Sequence, residues 1–65
     1  MNNIQTIKFH GRKRKARILS EEEIIPDDAY FSIDDGKTWM KSLASGDTVK
    51  EHQGVIERIY MVLVK

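Results

Sequence analysis

Apolar and polar positions alternate through the first third of the chain. Over residues 4–10 Ile7 and Phe9 fall on one face and Ile4, Thr6 and Lys8 on the other, which predicts a strand. Gly11 breaks it, with Arg12 sharing the turn, and residues 13–19 form a second predicted strand with Ala16 and Ile18 inward and Lys15 and Arg17 outward. Together they predict a hairpin whose tip and one face are positive. An amphipathic helix over 13–19 is the competing reading, because Lys, Arg and Ala are good helix formers.

Further along, two β-favouring runs flank Asp34-Asp35-Gly36. Asp-Gly between such runs is a strong hairpin signal, because a tight turn needs positive φ and glycine adopts it without steric cost. Residues 29–33 are therefore expected to pair with 37–41. The run 55–64 is the most apolar, with β-branched residues on both parities. That pattern predicts a strand covered on both faces, centrally in the monomer or by a partner subunit.

The connections also carry signals. Ser20 and Glu23 have capping-box spacing, predicting one helical turn that Pro26 ends. Pro26-Asp27-Asp28 and Ser45-Gly46-Asp47 read as turns. Residues 48–53 are either a loop or a short helical turn with Asp47 as N-cap and Gly54 as stop. Residues 1–3 are expected to fray. The resulting expectation is a mainly β single domain spanning 1–65, about five strands in a small barrel or a curved antiparallel sheet with one short helical turn. Its expected core is Ile7, Phe9, Ala16, Ile18, Phe31, Ile33, Trp39, Ile59, Met61 and Leu63.

Composition narrows this picture. A chain of 65 residues without cysteine has no disulfide or Cys-based metal site, and it buries only roughly 60% of its unfolded surface. Dense packing or homo-oligomerisation is the expected remedy. No apolar run approaches the roughly 18 residues of a membrane span, and Gln5, Lys8 and His10 interrupt the first stretch, so a cytoplasmic protein is expected. The net charge is only +1, but six of eleven basic residues lie within 8–17 and seven of ten acidic ones within 21–35. The two blocks either present opposite faces or cancel each other.

Ser32, Asp34, Gly36, Thr38 and Trp39 spell S-x-D-x-G-x-T-W. This stretch resembles an Asp box, a hairpin motif of bacterial sialidase blades that also occurs singly in unrelated folds, including microbial ribonucleases. The resemblance covers eight of 65 residues and implies that Asp34 braces the turn through backbone amides, Gly36 permits it and Trp39 packs inward. Its implied role is structural. A sialidase propeller needs several four-stranded blades and is not expected at this length. A ribonuclease would need a general base, a general acid and a cation; His10, His52, Glu51, Glu57 and Arg58 supply the residue types but no recognised spacing. Asp27, Asp28, Asp34 and Asp35 lack the EF-hand ligand order, so they read as turn residues, with no metal or cofactor expected.

The basic stretch is the best functional lead. Lys and Arg contact phosphates, a β-ribbon enters the major groove, and small β folds bind single strands by joining positive grooves to stacking aromatics. Phe9 and Tyr30 are candidate stacking residues. The leading expectation is a non-enzymatic nucleic-acid-binding accessory protein using Lys8, Arg12, Lys13, Arg14, Lys15 and Arg17. The plainer reading of those cations is a solvated strand edge that discourages edge pairing. The functional alternative is a protein-interaction module, such as a small bacterial or phage regulator or inhibitor, acting through acidic residues 21–35 or the apolar last strand.

Overall fold

The computed structural model describes residues 4–64, so the frayed end expected over 1–3 lies outside the described residues. Five strands, β1 (Ile4–Phe9), β2 (Arg12–Ile18), β3 (Ala29–Ser32), β4 (Met40–Lys41) and β5 (Ile59–Leu63), form one antiparallel sheet in the order β1-β2-β5-β3-β4. The sheet is not closed into a barrel. It is strongly curved, however. Phe9 on β1 and Tyr30 on β3 meet edge to face with centroids 4.8 Å apart, although β2 and β5 lie between their strands. Three strand spacings in a flat sheet would separate them by roughly 14 Å.

The most apolar strand sits at the centre. β5 pairs with β2 (Ala16 with Leu63, Ile18 with Met61) and with β3 (Tyr30 with Met61, Ser32 with Ile59). Its two faces feed two cores. On the concave face, buried Ala16, Trp39 and Met61 are packed by Ile7, Phe9, Ile18, Tyr30, Ile59 and Leu63. On the other face, buried Leu19, Ile25, Ala29, Val49 and Tyr60 are joined by Phe31, Ala44 and Val62.

Two irregular segments cover that second face by bonding to each other. Ile25 N–H donates to Asp47 O (2.8 Å), Gly46 N–H to Ile25 O (2.9 Å), Val49 N–H to Glu23 O (3.1 Å) and Lys50 N–H to Glu21 O (2.9 Å). The backbone is thereby satisfied without a formal strand, and Ile25 and Val49 reach the core. Full burial of a side chain such as Ile25 contributes roughly 1.5–3 kcal/mol.

Several expected boundaries shift. The first reversal uses His10 and Gly11 alone, with φ of 49° and 84°, which is the type I′ geometry that matches strand twist. Arg12 consequently belongs to β2 rather than the turn, and the helix alternative over 13–19 is ruled out by the β1–β2 ladder. β4 starts at Met40, not at Lys37, because residues 33–39 form an extended loop. β5 starts at Ile59, so Val55 and Ile56 are exposed, and Ile33, placed in the expected core, is also exposed.

No helix follows Ser20. Glu23 N–H bonds Ser20 O, but the Glu23 carboxylate turns to Arg17. The reciprocal capping bonds occur instead at Thr48 and Glu51, where Thr48 N–H donates to Glu51 Oε1 (3.2 Å) and Glu51 N–H to Thr48 Oγ1 (3.4 Å). They open the short 3₁₀ turn Lys50–His52, which stops at Gln53 in extended backbone rather than at a left-handed Gly54. Asp47 does not cap it; its carboxylate pairs with His52 at 2.8 Å.

Candidate functional site

The β1–β2 hairpin carries most of the sequence-selected cations. Register places Lys8 opposite Lys13 and Thr6 opposite Lys15 on the outer face, while Arg12 opposite Phe9 and Arg14 opposite Ile7 share the concave face. Lys8, Arg12, Lys13, Arg14 and Lys15 are all exposed, and among the described residues none makes an ion pair. Arg17 differs. It is half-buried and its Nη1 donates to both Glu23 oxygens at 2.9 and 2.8 Å. That single pair is the extent to which the acidic block neutralises the basic one among the described residues, so Arg17 is less available to a phosphate than the other five.

The loop after β3 is held by side chains. Ser32 is fully buried, and its hydroxyl uses its whole bonding capacity: it donates to Asp34 Oδ1 (2.7 Å) and accepts from Gly36 N–H (2.9 Å) and Asp34 N–H (3.3 Å). Asp34 in turn accepts from Thr38 N–H (2.9 Å) and Thr38 Oγ1 (2.6 Å). Bonds from the Thr38 hydroxyl first, then its amide, then Ser32, hold the Asp34 carboxyl down at about 2. Asp35 and Gly36 both take positive φ, 64° and 89°. A Cβ on Gly36 would stand 3.6 Å from Trp39 Cζ2, so the glycine is required by its φ rather than by lack of room. Trp39 is buried, with its Nε1 donor unpaired among the described residues.

Curvature brings these two regions together. A cleft of about 460 Å³ lies between the free edge of β1 and the loop, with Ile7, Lys8, Gly36 and Trp39 among its walls. A second, of about 370 Å³, continues it to the hairpin tip and is lined by Lys8, His10, Gly11, Lys37, Thr38 and Trp39. Beside it the His10 ring is stacked on Phe9, with centroids 4.1 Å apart and planes 11° apart. The Lys41 ammonium sits 5.2 Å from the centre of the Tyr30 ring. His10, Lys37 and Lys41 were not among the cations and rings singled out for binding. Lys37 and Lys41 lie far from the basic run in sequence, whereas His10 lies within it at the turn; the fold sets Lys37 beside the hairpin tip and Lys41 over Tyr30.

The other candidate groups serve the loops. His52 pairs with Asp47, Glu51 with Thr48, and the Arg58 guanidinium donates to the His52 carbonyl. Burial pushes the Tyr60 phenol up, partly offset by nearby Arg58. Among the described residues no three His, Cys, Asp or Glu side chains cluster closely enough to hold a metal ion. No helix is long and apolar enough to cross a membrane among those residues. Fold and site together define a small β protein with one curved antiparallel sheet and a cationic hairpin arm. Comparison with family models, curated proteins and solved structures finds no match to this chain.

Proposed function

We propose that this is a non-enzymatic, cytoplasmic nucleic-acid-binding accessory protein that contacts phosphates through the β1–β2 hairpin. The observation that supports it is that five exposed cations on one ribbon have no ion-pair partner among the described residues, although the chain contains nearly as many acidic residues as basic ones. A tight type I′ turn and six register pairs stiffen that ribbon, so little order has to be created on binding. The aromatic rings of Phe9, His10 and Tyr30 adjoin the cations, a combination suited to nucleic acid.

Titration of a labelled single strand by fluorescence anisotropy tests this reading. Four phosphate contacts from Arg12, Lys13, Arg14 and Lys15 predict a log–log salt slope of about −3, or about fiftyfold weaker binding between 50 and 200 mM salt. Replacing all four by serine should abolish both the binding and the slope while leaving the β-sheet circular dichroism intact. Unchanged affinity in that variant would overturn the proposal.

A second reading has one observation in its favour. Ile33, Ile56 and Ile59 line a cleft with Asp35 and Glu57, and Val55 beside it is fully exposed. An acidic-rimmed apolar surface suits a basic protein partner. β5 itself does not offer such a surface, because it pairs on both edges and Tyr60 and Met61 are buried.

A further inference from the structure

The cleft at the hairpin tip has features that the basic run alone does not explain. Lys8 comes from β1, Lys37 and Thr38 from the loop after β3, and His10 from the turn between β1 and β2. Two lysines from segments far apart in sequence therefore share one cleft with an exposed ring already seated on Phe9. Among the described residues no carboxylate lines this cleft, so an anion seated there meets two lysines and no acidic side chain. Asp34 in the same loop directs both carboxylate oxygens to Ser32 and Thr38, while the exposed Asp35 lines the adjoining cleft with Lys8 rather than this one. At about 370 Å³ the cleft is at the small end of the ligand-site range of roughly 300–1,000 Å³, enough for one nucleotide. A duplex turns its bases inward and would offer His10 only phosphate and sugar.

We infer that this cleft holds one unpaired nucleotide of a single strand, with its phosphate between Lys8 and Lys37 and its base stacked on the outer face of His10. The inference rests on the nucleic-acid reading above and names its ligand as single-stranded. Lys37 and His10 are thereby binding residues in addition to the hairpin cations. The path of the strand beyond the cleft follows the cationic ribbon, so Arg12 and Arg14 take the neighbouring phosphates.

The test compares a thirty-nucleotide thymidine strand, the duplex it forms with the complementary adenosine strand and an abasic strand of equal length, each titrated against the intact protein at low salt. The thymidine strand should bind about tenfold more tightly than the abasic one and more tightly than the duplex. Lys37→Gln should weaken the strand and reduce the salt slope by about one. His10→Asn, which keeps a residue tolerant of left-handed backbone, should bring thymidine affinity down to abasic affinity without changing the slope. If both variants bind like the parent while the four-serine hairpin variant does not, the cleft inference is overturned and the hairpin reading stands. Equal affinity for thymidine and abasic strands, or preference for the duplex, also overturns it. No binding of any of the three by the parent protein overturns the hairpin reading itself.

Discussion

The two hairpins reverse the chain by opposite means. β1 and β2 share six register pairs joined by a two-residue turn, and their bonding is almost wholly backbone. β3 and β4 share two register pairs, and the seven intervening residues are held by the hydroxyl of Ser32, the carboxylate of Asp34 and the indole of Trp39. The difference explains where each hairpin tolerates surface chemistry. A ladder leaves side chains uncommitted, so β1 and β2 present cations to solvent. A loop stabilised by side chains commits them, and its few free positions, Lys37 above all, gain meaning only from what they face.

Trp39 is the most severe way to break this comparison. Its indole fills the concave core between β5 and the free edge of β1, so Trp39→Ala should cost about 3–5 kcal/mol. A domain of this size has little more than that to lose. Urea unfolding followed by circular dichroism measures it, and a midpoint close to the parent's would show that β1–β2 folds without the plug. Trp39→Phe should cost far less, because Nε1 has no acceptor to lose among the described residues.

How far such a structure is legible in the sequence depends on how local each cause is. Asp35 and Gly36 were readable as a turn because their backbone demand is local, and apolar side chains on both parities marked β5 as covered on both faces, which its central place in the sheet then supplies. The short extent of β4 was not readable. Ser32 and Asp34 draw the amides of Gly36 and Thr38 away from a ladder, and such competition depends on geometry that alternation does not encode. Ile25 and Val49 escaped notice for a related reason: they lie in irregular segments whose backbones bond to each other outside any regular strand, so neither shows a period. Conversely, Ile33, Val55 and Ile56 are apolar but uncovered. Of the candidate site, the cationic run was visible as a run, whereas Lys37 is a single residue that only the fold brings to the hairpin tip.

Acid should separate the two hairpins next. The Asp34 carboxyl is depressed from its ordinary 3.8 to about 2 by the bonds it accepts in the folded loop. A folded pKa below the unfolded one means that its stabilisation is fully present above about pH 4 and is lost as pH falls through about 2. The stability gap between the parent and Asp34→Asn should thus be widest near neutrality and close over that window. Backbone amide exchange resolved by residue adds the spatial part: protection should fall first at Gly36 and Thr38, with the β1–β2 ladder little affected. A gap that is constant from pH 7 to 2 would show that the carboxylate charge contributes nothing to the loop.

The smallest effect concerns the ladder itself. Lys8 and Lys13 stand directly opposite each other, and like charges in that relation destabilise by roughly 0.2–1 kcal/mol. Lys8→Thr or Lys13→Thr should therefore raise the melting temperature by a few degrees at low salt. The gain should shrink as ionic strength rises and screens the pair. The same substitutions should weaken strand binding, Lys8→Thr more than Lys13→Thr, because only Lys8 also lines the cleft. A charge that lowers stability where it stands and raises affinity for an anion is the signature of a residue kept for binding. If the threonine variants gain stability with no loss of affinity, the cations of this hairpin do no more than keep a free sheet edge soluble and unpaired.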